Sequence, residues 1–162
     1  MDLAIVIFLL GGLFLGWSLG ANDAANVFGT AVGTRMVRFK TAAIVCSLFI
    51  ILGAVISGSG TTETLGKLGA INALPGAFAA CVAAGISVYI MTKFGLPVST
   101  TQAIVGAIVG WNLYTGSSTN LKVLFTILST WILCPIITAL IAMLFFITVS
   151  YTHLTLPTNR EV

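Results

Sequence analysis

The chain has 162 residues, of which 58% are hydrophobic and only 7% charged, with seven basic and four acidic side chains and a net charge of +3. A typical soluble domain carries about 25% charged residues, so this composition cannot build a water-facing surface, and lipid must be the solvent for most of it. The basic residues are scattered over short loops and form no patch, which excludes nucleic acid as a partner; the fold class that remains is all-α, a polytopic bundle of transmembrane helices.

In chain order, residues 3–19 form a first apolar span, close to the roughly 20 residues needed to cross a bilayer. No basic leader precedes it, so it reads as a retained span and not as a cleaved signal. The sequence then runs through residues 21–34, low in charge and rich in Gly and Asn. The two stretches together exceed one span, and Gly20 between them is a poor helix former. A break is therefore expected there, with 21–34 as a broken continuation. Arg35, Arg38 and Lys40 follow. Residues 41–57 are a second span, 58–72 a polar loop holding Glu63 and Lys67, and 74–92 a third span ended by Lys93. Residues 97–112 read as a half-helix or re-entrant segment, because the apolar part before Asn112 is too short to cross. The last span is 123–149, with Pro135 as an expected kink.

Residues 1–149 thus form one transmembrane unit, and the polar residues 150–162, with the lone His153, read as a non-native tail. Loops rich in Lys and Arg stay cytoplasmic. That puts residues 35–40 and the region of Lys93 inside the cell, and the N-terminus and the Glu63 loop outside, in a multi-pass protein of the cell membrane; Lys122 alone opposes this orientation. Gly12, Gly16 and Gly20, Gly29 and Gly33, and Gly106 and Gly110 recur at every fourth position, a spacing expected to let helices approach closely. Cys46, Cys81 and Cys134 lie in apolar surroundings and read as plain hydrophobic residues.

Two segments break the apolar rule in a concentrated way. The first is Asn22-Asp23-Ala24-Ala25-Asn26. An ionised Asp at the centre of a lone membrane helix costs about 2.5–3.5 kcal/mol, and such a residue points to a functional site. The simpler alternative, a helix cap at the membrane surface, fits less well with the length of apolar chain on both sides. The second is Pro97-Val98-Ser99-Thr100-Thr101-Gln102. Pro in the first turn with Ser and Thr around the cap describes a helix start, whose free N–H groups and partial positive charge favour an anion. Asp23, with Asn22 and Asn26, offers oxygen to a hard cation such as Na+. Discontinuous helices meeting at mid-membrane are how many secondary transporters hold substrate and coupling ion, and co-transport follows if each charge neutralises the other. An anion channel, which needs a wet path and rings of charge, and a bundle or inactive fragment that transports nothing are the alternatives. No nucleophile–base pair, metal cluster or nucleotide loop is present to suggest an enzyme, and no cofactor is expected beyond the coupling ion.

GANDAANVFGTAVGTR and GLPVSTTQAIVGAIVG resemble the two signature segments of the inorganic phosphate transporter (PiT) family, and the resemblance spans most of residues 3 to 115. It implies phosphate carried with Na+ or H+, and a fold of two inverted repeats, each bearing both motifs. It also implies that Asn22, Asp23 and Asn26 contribute to the ion and phosphate site, and that Ser99, Thr100 and Thr101 bind phosphate. Three departures matter. Many relatives have His where this chain has Gln102, and many have an acidic residue in the second span, where residues 47–51 are uncharged. Both weaken proton coupling and favour Na+. Each motif also occurs once, so the chain is expected to be the N-terminal half, with a missing second repeat or a homo-oligomeric copy as partner.

Overall fold

The computed structural model describes residues 3–69 and 74–155. Five helices follow one another: α1 Leu3–Gly33, α2 Phe39–Leu68, α3 Leu74–Lys93, α4 Thr100–Thr115 and α5 Leu121–Thr155. Four of them, α1, α2, α3 and α5, are long and apolar enough to cross a membrane. At 16 residues, α4 is about 24 Å long and falls short.

The break expected at Gly20 does not occur. α1 is one continuous helix of 31 residues. A glycine costs a helix only about 1 kcal/mol. Unpairing backbone groups in lipid costs several kcal/mol each, and the Asn22 and Asn26 amides find side-chain partners without unwinding. The loop expected over 58–72 is also largely helix, since α2 runs on to Leu68. Its polar side chains satisfy themselves locally: Thr62 Oγ1 donates to Gly58 O (3.0 Å) and Thr64 Oγ1 to Gly60 O (2.9 Å). Glu63 and Lys67 form an exposed ion pair one turn apart.

α1 and α3 run side by side in the same direction, as their contacts show. The Phe8 and Phe78 rings meet edge-on at 5.8 Å. Two turns on, the Phe14 ring lies in the space that a side chain at Gly85 would take, 2.6 Å from where a Cβ would stand. Ser18 Oγ donates to Gly85 O at 3.3 Å, and the Trp17 and Tyr89 rings are 5.7 Å apart. Gly11 receives the Phe78 ring in the same way. α4 turns back along α3, with the Trp111 indole against Gly76. Ala80, Ala84 and Val88 of α3 and Val105 and Ile108 of α4 are buried and make up most of the apolar core among the described residues.

The glycines singled out by fourfold spacing are not the ones in contact. Gly12, Gly16, Gly20, Gly29, Gly33, Gly106 and Gly110 have open space where a side chain would stand, whereas Gly11, Gly76 and Gly85 are filled by rings. Spacing identifies a stripe but not the face that meets a neighbour.

α5 forms a separate unit. It extends beyond the expected 123–149 at both ends and contains Pro135. Its hydroxyls bond back to its own carbonyls, as Thr126 does to Lys122 O and Thr148 to Leu144 O. Of the expected tail, residues 150–155 continue this helix, and 156–162 lie outside the described residues.

Candidate functional site

α3 ends at Lys93, and Gly95, at φ +68°, turns the chain toward α4. Ser99 then caps α4 as expected. Its backbone is extended and its Oγ accepts from Gln102 N at 3.3 Å. Thr100, the first helical residue, points inward and is 4% exposed, while Ser99 and Thr101 are exposed.

Asp23 is half-buried on α1, and the Thr100 hydroxyl lies near its carboxylate. No bond of standard geometry closes between them, so Thr100 Oγ1 is buried without a partner. The structure therefore brings Asp23 and the start of α4 together, although α1 is not broken. Asp23 also borders a cleft of about 580 Å³ between α1 and α2, lined on the α2 side by Val45, Cys46, Phe49 and Ile50. An adjoining apolar cleft of about 650 Å³ runs along the same two helices past Gly20, Ala24 and Ala42.

Asn22 faces a different neighbour, because consecutive helical residues point about 100° apart. It is 5% exposed and turned toward α3, where its Nδ2 donates to Thr92 Oγ1 at 2.8 Å. Its Oδ1 accepts from Asn26 Nδ2 at 3.1 Å. Thr92 Oγ1 in turn donates to Val88 O at 2.8 Å. Thr92 is the residue that the sequence reading passed over. The signal available was weak, a single hydroxyl one position before the lysine that ends a span. The Asn22–Thr92 bond also fixes relative height: Asp23 lies level with the end of α3, and α1 continues ten further residues, about 15 Å, to Gly33.

A second polar group sits at the other end of α4. Asn112 is fully buried and donates to Thr119 Oγ1 at 3.0 Å, with its Oδ1 unpartnered. It packs against Gly69, close to where Asn120 N donates to Leu68 O at 3.0 Å. Twelve residues of helix separate it from Thr100, about 18 Å, so it belongs to a different place in the bundle.

The profile of the phosphate transporter family matches residues 19–161, a stretch that includes both motif segments. The chain belongs to the phosphate transporter family. This member of the family is also 39% identical, over 90% of its length and 38% of the other's, to a protein of Thermococcus kodakarensis provisionally named a phosphate permease. It is 33% identical to a similarly named protein of Haemophilus influenzae, over 83% of this chain and 35% of that one. It is 32% identical to inorganic phosphate transporter 2-1, chloroplastic, of Arabidopsis thaliana, over 85% of this chain and 25% of that one. The family member described here thus spans about two fifths or less of the length of these relatives. No solved structure matches it significantly. Its apolar helices and its family together make it a multi-pass membrane protein.

Proposed function

We propose that the protein moves inorganic phosphate across the cell membrane by secondary active symport with a cation, Na+ in preference to H+. The observation that carries this reading is the meeting of Asp23 with the buried, unpartnered hydroxyl of Thr100 at the start of α4. Phosphate takes the N–H groups of the first turn of α4 and the hydroxyls of Ser99, Thr100 and Thr101, because a helix N-terminus is an anion site. The Thr100 hydroxyl has bonding capacity to spare for it. The cation takes Asp23, with oxygens from Asn22 and Asn26.

Coupling follows from electrostatics. A phosphate next to an ionised Asp23 meets repulsion that water does not screen in a low-dielectric interior. A cation between the two converts that repulsion into attraction, so neither ion binds well alone. Na+ is favoured because Gln102 beside the cap, and residues 47–51 of α2, hold no titratable group to relay a proton. In this reading a second, inverted pair of motifs completes the site, the N-terminus faces outward, and residues 35–40 and Lys93 face the cytoplasm. Substrate passes as one helical bundle rocks against another.

The test is uptake of radiolabelled phosphate into proteoliposomes, with a Na+ gradient at fixed pH and with a pH gradient at fixed Na+. Saturable, Na+-driven uptake that Asp23→Asn uncouples from Na+ is the expected result. Uptake driven by the pH gradient alone would replace Na+ by H+. Non-saturating, cation-independent flux would mean a channel, and variants at Asp23 and Ser99 that alter stability alone would mean a bundle that transports nothing.

A further inference from the structure

Asn22 could serve either ion of the proposed site: its carboxamide offers an oxygen to a cation or two N–H groups to phosphate. We infer that Thr92 is a positioning residue that settles this choice, turning the Asn22 oxygen back along α1 toward Asn26 and reserving it for the cation. The inference rests on the phosphate-and-cation reading of the site.

The argument is a proton count along one chain of hydrogen bonds. A threonine hydroxyl has a single proton to give. Thr92 gives it to Val88 O, one turn back on α3, at 2.8 Å. What it presents to α1 is therefore lone pair only, and the atom of Asn22 that can face it is Nδ2, found at 2.8 Å. With Nδ2 held by α3, Oδ1 must point the other way. It does so, accepting from Asn26 Nδ2 at 3.1 Å with one lone pair still unused. Asn22 is 5% exposed, so water cannot supply the missing bond if the amide turns over. A turned amide would bring N–H toward N–H at Asn26 and would leave Thr92 lone pairs facing an oxygen. Lys93, the nearest formal cation in sequence, stands over the Tyr89 ring at 5.4 Å and takes no part in the chain.

The test compares Thr92→Val, which keeps the shape and loses the acceptor, with Thr92→Ser, which keeps both donor and acceptor. Phosphate uptake by the protein as it occurs in the cell is measured against Na+ at saturating phosphate, and against phosphate at saturating Na+. One hydrogen bond is worth about 0.5–1.5 kcal/mol. Thr92→Val is therefore expected to raise the half-saturating Na+ concentration by about two- to twelvefold. The phosphate KM at saturating Na+ should move less than about twofold, and Thr92→Ser should restore wild-type Na+ dependence. If Thr92→Val fails to reach the membrane, Thr92→Cys, a weak acceptor of similar size, is expected to raise the Na+ requirement about twofold. An unchanged Na+ requirement in the variant that reaches the membrane overturns the inference. So does a parallel loss of both affinities that Thr92→Ser does not repair. Wild-type protein without cation-dependent phosphate uptake overturns the underlying reading as well, and that outcome is visible before any variant is made.

Discussion

Replacing Thr100 by Val is expected to make the protein more stable while weakening its response to phosphate. Thr100 is 4% exposed, and its Oγ1 is buried with no hydrogen-bond partner. In protein mutational terms, burying a hydroxyl unpaired costs about 1–3 kcal/mol. Val has nearly the same shape, so packing against α1 survives the change. Part of the cost is already returned by the neighbouring Asp23 carboxylate, toward which the hydroxyl dipole acts without closing a good bond. The net gain should therefore lie near the lower limit, about 1 kcal/mol, which for a chain of this size raises the unfolding midpoint by about 2–4 °C. The assay is thermal unfolding of purified protein in detergent, with and without phosphate plus Na+, alongside uptake in proteoliposomes. A ligand at a hundred times its Kd stabilises the state it binds by about 2.7 kcal/mol. The wild type should show that shift and Thr100→Val less than half of it, because a hydrogen bond to a charged group is worth about 1.5–3 kcal/mol. A variant destabilised by more than about 1 kcal/mol, or one that phosphate stabilises as well as it does the wild type, would refute the reasoning.

Gly85→Ala is expected to unfold more easily than Gly12→Ala. Both gain about 1 kcal/mol of helix propensity, but a Cβ at Gly85 stands 2.6 Å from the Phe14 ring and one at Gly12 meets nothing within 4 Å. Overpacking should separate the two by about 1–3 kcal/mol in unfolding measurements, and equal midpoints would count against the parallel α1–α3 contact. Ser99→Ala removes a cap bond of 3.3 Å. It should cost about 0.5 kcal/mol of stability, the low end for an N-cap, and raise the phosphate KM about two- to threefold by loss of one hydroxyl, leaving Na+ dependence unchanged in uptake kinetics.

Local chemistry was legible in the sequence. α3 begins where the third apolar stretch begins, and Ser99 caps α4 because Pro97 and the hydroxyls around it leave few other conformations. Partners distant in the chain were not legible. Whether α1 breaks at Gly20 depends on what Asn22 can bond, and its partner Thr92 lies 70 residues away. The polar stretch Gly58–Leu68 reads as loop by composition, yet it is helical, because its threonines and its Glu63–Lys67 pair are satisfied within one turn. Helical spacing was right about the stripe at Gly12, Gly16 and Gly20 and wrong about its use, since the face of α1 that meets α3 carries Gly11. Of the candidate site, Asp23 and the Ser99–Thr101 cap were expected to meet on grounds of charge, and of the three cap residues it is Thr100 whose hydroxyl lies near Asp23. That the Asn22 amide turns away from Asp23, toward α3, follows from rotation about the helix axis and could be seen only once α3 was in place.

Rings seated at Gly11, Gly76 and Gly85 act like teeth on a rack. α1, α3 and α4 cannot slide past one another by a fraction of a turn without first lifting a ring out of its seat. In a close-packed interior such an element switches between discrete seats and does not deform smoothly. Asp23 and Thr100 sit on this geared trio, so their separation is held stiff. Between α1 and α2, by contrast, no ring is seated at a glycine among the described residues, and an open cleft remains, about 650 Å³ in its larger portion. Asp23 stands on the wall of its neighbour, where it faces open space and not a seated ring.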